Sequence, residues 1–230
     1  MNQGQLFIEA LDSLSANKVR SALTMLGIII GVAAVVALMA IGSGAQASIT
    51  SEINSIGTNL LYVMPGGDSA YPKALTLGDA AVIADPSLAP AVSLVAPIVR
   101  GQLTLSVPGE QTQTSVVGVT PEFFQVQDEK MAEGQPISAS HVDNESAVII
   151  LGPEAAEALF DTTTDLIGKS VRVEGQVFKV IGVLKPEGGS GFGSNDNRAL
   201  VPLTTAQRRL FTRPASGQVD LIHVQAVDSN

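Results

Sequence analysis

The sequence predicts an α+β protein in which one N-terminal transmembrane helix is followed by an extracytoplasmic mixed-sheet domain with short helices, large enough for two subdomains. Two observations lead to this fold class. Residues 21–41 carry no charged side chain. Beyond residue 46, runs rich in Val, Ile and Leu alternate with turn residues, and only a few short segments have helical patterning. Many strands with few short helices are typical of α+β domains.

The apolar run is long enough to cross a membrane. From Ser21 to Ile41 it would form a helix roughly 31 Å long, and a bilayer core is about 30 Å thick. The apolar region of a signal peptide is shorter, about 7–15 residues. Ala45-Gln46-Ala47 nevertheless has the pattern of a cleavage site, so a cleaved signal peptide remains an alternative. A buried helix of a soluble protein would need apolar surroundings that the polar flanks do not predict. We expect a retained transmembrane helix over 21–45.

Charge predicts the direction of this span. Lys18 and Arg20 lie immediately before it, and the first charge after it is Glu52. Cations next to a span stay on the cytoplasmic side. We therefore expect the N-terminus in the cytoplasm and residues 46–230 outside, which places the protein in the cell (inner) membrane with its main domain periplasmic or extracellular.

The residues before the span have helical periodicity. Leu6, Ala10, Leu11 and Leu14 recur at the spacing of one helix face, with polar side chains between them. Residues 1–20 are therefore predicted to form a cytoplasmic amphipathic helix. A polar extension of the membrane helix would give the same pattern, and the sequence favours neither.

Two glycines one helical turn apart lie inside the span. Gly27 and Gly31 form a G-x-x-x-G pattern, and small residues on one face let a second membrane helix approach closely. Glycine is also common in membrane helices for other reasons. Helix packing at these two residues is thus an expectation that the pattern alone does not decide.

The outer segment is acidic and lacks cysteine. Its roughly 185 residues carry 11 Lys and Arg against 20 Asp and Glu, a net charge of −9. This balance argues against nucleic acid and against an anionic membrane surface as partners, which leaves the lipid bilayer around the span as the membrane contact. Without cysteine there is no disulfide framework, and thiols say nothing of the compartment.

Turn and cap residues divide the first half of this segment into elements. The stretch NLLYVMPGG reads as a strand that ends in a turn. Thr76 is a candidate N-cap for a short helix through Ile83, with Asp79 in its first turn. Three further strands are predicted, with PGEQ turning between the last two: VSLVAPIVR, QLTLSV and TSVVGV.

The second half continues the alternation. SAVIIL reads as a buried strand, and Pro153 suits the first turn of the helix GPEAAEALF. SVRVEGQVFKVIGVL reads as a hairpin that turns at Glu174-Gly175. A strand, a short helix and a last strand complete the order: RALVPL, TTAQRRLF and DLIHVQAV.

The last strand comes within a few residues of the end of the sequence. By the two-residue period its side chains alternate between two faces, with Leu221 and His223 on one and Ile222 and Val224 on the other. We expect its outer edge to lack a partner, because any strand beyond it is missing. Unpaired apolar edges promote association. The outer domain is thus predicted to be incomplete at its C-terminus, marginally stable and prone to self-association.

No arrangement typical of an enzyme is visible. His141 and His223 have no metal-ligand spacing, and a surface or strand histidine is the better interpretation of each. The glycine-rich stretch 188–195, GGSGFGSN, lacks the G-K-[ST] of a phosphate loop and reads as a hairpin tip. Phe123 and Phe124 are predicted to pack in the core or at an interface rather than to line a ligand site. We expect no catalytic, cofactor or metal site and no enzyme activity.

Several stretches, in order, resemble the MacB/FtsX-type permeases of ABC transporters. RSALTMLGIIIGVAAVVALMAIGSGA followed by LLYVMPGG is similar to their first span. The later stretches are similar to the MacB-like periplasmic core domain of that family: VVGVTPEFFQVQ, EGQPI, AVIILGPEAAEALF, IGKSVRVEGQVFKVIGVL and DNRALVPLTTAQRRLF. The family usually has an arginine after the glycine of EGQ, and Gln135 stands there in this chain.

The resemblance implies a permease subunit of an ABC-type export or mechanotransmission system. It implies a homodimer, a separate cytoplasmic ABC ATPase that hydrolyses ATP, and a periplasmic adaptor protein. It also implies three further spans after the outer domain, so the chain is interpreted as a fragment. Substrates remain open among macrolides, lipoproteins, peptides and regulation of the cell wall. The alternative is a single-span, membrane-anchored extracytoplasmic binding module without transport activity.

Overall fold

The computed structural model describes residues 18–55, 59–66, 74–187, 195–211 and 217–227. The chain divides into two compact units, Met1–Ile56 and Gly57–Asn230. In the first unit, helix α1 runs over Lys18–Ser55, 38 residues, and contains the whole predicted span 21–45. The predicted amphipathic helix over 1–20 lies outside the described residues except for its last three.

Helix α1 has the length and composition of a membrane span. Its first 27 residues, Lys18–Gly44, qualify as a candidate span, and none of that stretch is buried in the protein. The hydroxyl of Thr24 donates to the backbone carbonyl of Arg20 at 3.0 Å. The hydroxyl of Ser43 donates to the backbone carbonyl of Ala40 at 3.1 Å. These two hydroxyls thus bond within the helix, as an apolar environment requires.

The second unit is a mixed α+β domain, as predicted. Its strands are β1 Leu60–Val63, β2 Leu75–Thr76, β3 Val92–Val107, β4 Glu110–Val119, β5 Met131–Gly134, β6 Val148–Leu151, β7 Ser170–Val173, β8 Gln176–Leu184, β9 Arg198–Pro202, β10 Gln218–Val219 and β11 Leu221–Ala226. Its helices are α2 Leu77–Ile83, α3 Glu122–Val126, α4 Ala139–Asp143, α5 Pro153–Phe160 and α6 Leu203–Thr205, which continues as a π-helical turn, Ala206–Leu210.

Nine of these strands form one sheet in the order β1-β11-β3-β4-β9-β6-β8-β5, with β7 pairing to both β3 and β8. The pairings β4–β9 and β6–β8 are parallel, and the others in this sheet are antiparallel. Strands β3, β4, β9, β6, β8 and β7 therefore pair around a closed circuit. Such closure removes exposed edges, as in a small barrel.

Strand β3 corrects one prediction. VSLVAPIVR and QLTLSV were expected to be separate strands, yet they form a single strand of 16 residues. Gly101 does not break it, because the ladder to β4 is continuous from Val99 to Val107. A Cβ at Gly101 would lie 2.7 Å from a ring carbon of Phe211, so the glycine makes room for that ring.

The last strand also differs from the prediction. β11 was expected to have an unpaired edge, but it lies between β1 and β3 and pairs antiparallel with both. The missing partner is supplied by the strand that follows α1, which sequence order did not suggest. The predicted alternation is confirmed, since Ile222 and Leu221 are buried in different apolar clusters. The argument for marginal stability from an open edge of β11 is therefore wrong, while incompleteness of the domain stays a prediction.

Two apolar cores lie on opposite faces of the sheet. The first fills the closed circuit with side chains that are fully buried: Leu105, Val116, Ile149, Leu151, Val171, Val173, Phe178, Val180, Ala199 and Val201. The second lies on the other face, where α3 contributes Phe123, Phe124 and Val126. The core positions predicted for Phe123 and Phe124 are confirmed.

Local signals in the sequence explain several element boundaries. Thr76 caps α2, and the carboxylate of Asp79 accepts from the Thr76 amide at 2.9 Å, which completes a capping box. Pro153 lies in the first turn of α5. Glu174 and Gly175 turn the β7–β8 hairpin with φ of 46° and 82°. These three predictions are confirmed.

Candidate functional site

The residues singled out in the span lie in α1. Lys18 and Arg20 are exposed in its first turns. Gly27 and Gly31 are one turn apart, and apart from the adjoining turns of the helix no atom of the described residues lies within 4 Å of the Cβ positions that either would have. The helix thus presents an open small-residue face. The sequence-predicted roles of these four residues, in packing and in orientation, stay predictions.

In the outer domain, two clusters of buried polar side chains lie against one short stretch. This stretch, here called the α3 segment, comprises residues 121–130. Its apolar side chains enter the second core. Its backbone folds back on α3, because the amides of Gln127 and Glu129 donate to the carbonyls of Phe123 and Phe124 at 2.9 Å each. Two polar clusters hold its C-terminal half.

The first is the His223 cluster, formed by Tyr62, Phe123, Gln127 and His223. The His223 ring is stacked on Phe123 with centroids 5.8 Å apart, and it meets Tyr62 edge-on at 4.8 Å. The side-chain amide nitrogen of Gln127 lies 2.7 Å from Nδ1 of His223. An amide nitrogen only donates, so Nδ1 accepts and the proton of the neutral ring is on Nε2. The cluster connects β1, β11 and the α3 segment.

Burial keeps this histidine neutral. His223 is 7% exposed. Burial, with a smaller contribution from the charge of Arg100, lowers the pKa of His223 from 6.5 to about 4. The sequence interpretation of His223 as a strand histidine is confirmed, but its place among aromatic rings came only from the fold.

The second is the Arg198 cluster, formed by Glu129, Glu187 and Arg198. The guanidinium of Arg198 lies 2.7 Å from one oxygen of Glu129 and 3.0 Å from the other, and 3.3 Å from Glu187. The side chain of Glu129 is 2% exposed and that of Arg198 is 14% exposed. This cluster joins the α3 segment to the start of β9 and to the chain that leaves β8.

Electrostatics in the Arg198 cluster are unbalanced, with one cation between two carboxylates. Burial raises the pKa of Glu129 from 4.5 to about 7; the attraction of Arg198 opposes this shift, and the charges of Glu187 and Asp128 add to it. Desolvation of a carboxylate outweighs its attraction to a cation when water is nearly excluded. Glu129 therefore changes charge near neutral pH.

Hydrogen bonds to side chains connect the chain on the two sides of the glycine-rich stretch. The backbone amide of Glu187 donates to the carboxylate of Asp196 at 2.9 Å. The side-chain amide of Asn195 donates to the carboxylate of Glu187 at 3.2 Å. The predicted hairpin tip, 188–195, lies outside the described residues except for Asn195.

Within the described ranges, no three His, Asp or Glu side chains are grouped as metal ligands. His141 lies in α4, and its Nδ1 accepts from the amide of Ser138 at 3.2 Å, so it takes part in a helix cap. Gln135 is exposed, and the neighbouring carboxylate of Glu133 accepts from the amide of Asp165 at 3.0 Å. No pair of nucleophile and base emerges from these contacts.

Sequence reasoning missed the Arg198 cluster. Glu129 and Arg198 are single charges 69 positions apart, and neither belongs to a local motif. The available signal was a charged residue at the start of a continuous apolar strand, RALVP, since a charge there must be paired or hydrated. That signal does not identify the residue that pairs with Arg198.

Comparisons with known proteins agree with the fold. The family model of the MacB-like periplasmic core domain matches residues 21–230. The chain is 36% identical over 208 residues to the macrolide export ATP-binding/permease protein MacB of Hyphomonas neptunium, which covers 88% of this chain and 32% of that protein. It is 37% identical over 220 residues to the protein of the same name from Rhodospirillum rubrum, covering 94% and 33%. The chain thus spans about a third of the length of these relatives.

Two solved structures have a similar fold. The periplasmic region of MacB from Actinobacillus actinomycetemcomitans superposes with a TM-score of 0.63 at 22% identity, covering 77% of this chain and 79% of that one. The extracellular domain of the noncanonic ABC-type transporter YknZ from Gram-positive bacteria gives 0.59 at 21% identity, covering 74% and 83%. At these identities the likeness concerns the fold alone.

Proposed function

Because the chain belongs to the family of the MacB-like periplasmic core domain, we propose that it is a permease subunit, in this form a fragment, of an ABC-type export or mechanotransmission system. Its task is to couple ATP hydrolysis by a cytoplasmic partner to movement of an extracytoplasmic domain. The names of the relatives state macrolide export, and by analogy we propose macrolides as the substrate class.

One observation carries the mechanical part of this proposal. Helix α1 runs unbroken from Lys18 to Ser55, while the candidate span ends at Gly44. The helix therefore continues roughly 16 Å past the span at about 1.5 Å per residue. Strand β1 begins at Leu60, five positions after Ser55. A continuous helix is stiff, so α1 is suited to carry a displacement of the span as far as Ser55, and we propose that the chain passes it on to the outer domain.

ATP hydrolysis is assigned to a separate ABC ATPase subunit. The matched segment is a periplasmic core domain. The stretch 188–195 lacks the lysine of a phosphate loop, and the acidic outer segment repels a polyanion. Further assigned partners are a second copy of the chain and a periplasmic adaptor protein. Lys18 and Arg20 set the N-terminus in the cytoplasm, and Gly27 and Gly31 pack against another membrane helix.

The test reads movement of the outer domain directly. The full chain has no cysteine, so Val177→Cys, at a surface position that is 52% exposed, gives a single spin-label site. The labelled protein is purified from its host with co-isolated partners and placed in lipid nanodiscs. Distances between labels in two copies are then measured without nucleotide and after trapping with ATP and vanadate. The control is the same complex with its ATPase lysine replaced by methionine.

We expect an ABC ATPase to co-purify and the distance distribution to shift on trapping, with no shift in the control. A co-purified ATPase with unchanged distances would contradict coupling through the outer domain. Absence of any ATPase and of a second copy would favour the single-span binding module instead.

A further inference from the structure

The Arg198 cluster contains two carboxylates and one guanidinium, and the Glu129–Arg198 pair is nearly excluded from water. Arg198 is within 3.3 Å of two carboxylates, and the better buried of them, Glu129, has a side chain only 2% exposed. The Nε atom of Arg198 is buried and has no partner among the described residues. A guanidinium cannot give up its proton in a protein, so any change of charge must occur on a carboxylate.

Among the residues that the structure describes, Arg198 is the one cation that forms an ion pair with Glu129. Lys130, the next residue, pairs with Asp128 at 3.1 Å and is 65% exposed. Lys185 approaches through its backbone amide, which donates to the carbonyl of Lys130 at 2.8 Å. From the chain beyond β8, Glu187 adds a like charge, and Asp196 bonds the Glu187 amide. Two carboxylates facing one buried cation favour protonation of one of them.

We propose that the Arg198 cluster is a proton-binding site, in which Glu129 takes up one proton from solvent under mildly acidic conditions and thereby tightens the α3 segment against β9. The proton adds to a carboxylate oxygen of Glu129, which becomes a neutral acid. Arg198 keeps its charge and its pairing with Glu187. The side chain of Glu187 is 38% exposed and gives the proton a route from water. The proposal is independent of transport.

The direction of the effect follows from linkage. When the α3 segment opens, Glu129 meets water and regains the ordinary acidity of a carboxyl. The closed state then holds the proton more tightly than the open state, so acid favours closure and alkali favours opening. With a pKa of about 7 closed and 4.5 open, the opening equilibrium should rise about tenfold between pH 6 and pH 8.

The first measurement identifies the proton. Infrared difference spectra between acidic and alkaline pH are recorded on the full chain in lipid nanodiscs. We expect the C=O stretch of a protonated carboxyl to appear with a midpoint near pH 7 and to vanish in Glu129→Gln. The matched control is Glu154→Gln, which removes an exposed carboxyl of α5 and should leave that band unchanged. Glu187→Gln removes the like charge and should lower the midpoint.

The second measurement follows the segment. Hydrogen exchange of the bonded amides of Gln127, Asp128 and Glu129, corrected for intrinsic rates, reports opening. The tenfold change between pH 6 and pH 8 is expected in the wild type and absent in Glu129→Gln. A wild-type spectrum without a carboxyl band that titrates between pH 6 and pH 8 overturns the proposal, whether or not any variant folds. Exchange that is slower at pH 8 than at pH 6 would overturn the assigned direction.

Discussion

Tyr62 and His223 are directly opposite each other in the β1–β11 ladder, and their rings meet edge to face with centroids 4.8 Å apart. The His223 ring is also stacked on Phe123 of the α3 segment. The α3 segment is thus held at one place by a buried neutral histidine and at another by the buried Glu129–Arg198 pair. These two groups respond to pH in opposite directions.

The first prediction concerns this opposition. Between about pH 4 and 6.5 the unfolded chain protonates its histidine while folded His223 stays neutral, so His223 makes the free energy of unfolding rise with pH. Between about pH 4.5 and 7 folded Glu129 keeps a proton that the unfolded chain releases, so Glu129 makes the free energy of unfolding fall as pH rises. We expect the two slopes to offset each other in the wild type.

Each variant should therefore reveal the slope of the other group. Relative to wild type, Glu129→Gln should gain stability as pH rises, and His223→Leu should lose it, each by at most about 1.4 kcal/mol per pH unit. The measurement is urea denaturation of the full chain in nanodiscs, followed by circular dichroism from pH 4 to 7. Parallel curves for the three proteins would show that these groups do not titrate differently on folding.

The second prediction concerns Arg198. Arg198→Met leaves two carboxylates without a cation and should lower the free energy of unfolding at pH 8 by about 3–5 kcal/mol. Adding Glu129→Leu to it should restore most of the loss. The matched control is Arg208→Met, since Arg208 pairs with Glu145 at 2.9 Å but is 72% exposed. That change should lower stability by less than about 1 kcal/mol. Equal losses for the two single variants would argue against a buried ion pair.

The third prediction separates steric overlap from backbone strain. Gly134 and Gly175 both have φ of +82°, but a Cβ at Gly134 would overlap the carbonyl oxygen of Ile181, whereas Gly175 has open space around it. Gly175→Ala should cost about 1–2 kcal/mol from conformation alone. Gly134→Ala should cost clearly more, because β5 must move away from β8. The midpoints of urea unfolding compare the two, and similar midpoints would mean that β5 shifts freely.

The fourth prediction concerns orientation and retention of the span. A cysteine at Ser69 should react with an impermeant thiol reagent when the outer membrane is removed, and one at Ser13 should not, because Lys18 and Arg20 hold the N-terminus inside. The membrane-bound protein should keep its original N-terminus. Labelling at Ser13 alone would reverse the topology, and a mature N-terminus at Ser48 would identify a signal peptide.

The fifth prediction concerns the glycine face of α1. Gly27→Ile and Gly31→Ile should weaken association of the full chain in detergent or lipid several-fold, because a branched side chain prevents close approach of a second helix. Ala33→Ile places the same side chain on the opposite side of the helix and should have little effect. Sedimentation gives the association state, and equal behaviour of all three variants would exclude a specific glycine contact.

The features that could be predicted from sequence depend on neighbouring residues. The Thr76–Asp79 cap, Pro153 at the start of α5 and the Glu174-Gly175 turn each act within four positions of the chain. The candidate membrane span also follows from a local property, its apolar length. Local patterns of this kind, in the expected order, also indicated the family.

The features that could not be predicted depend on distant residues. Gly101 looked like a strand end because the ring that it accommodates, Phe211, comes more than a hundred positions later. β11 looked like an edge because its second neighbour, β1, lies at the other end of the domain sequence. Likewise, the partners of Glu129 and His223 come from strands that only the folded sheet places beside the α3 segment.

The pairing of β1 with β11 also places the first and last strands of the described domain next to each other. Leu60 lies opposite Gln225, and the amide of Ala226 donates to the carbonyl of Asn59 at 2.8 Å, so the chain enters and leaves this part of the fold side by side. Segments whose ends are adjacent can be placed within a loop of another protein without separating that loop's two attachment points. The fold from Asn59 to Ala226 is therefore suited to grafting between two helices of an unrelated host, as a cassette that leaves the spacing of those helices unchanged.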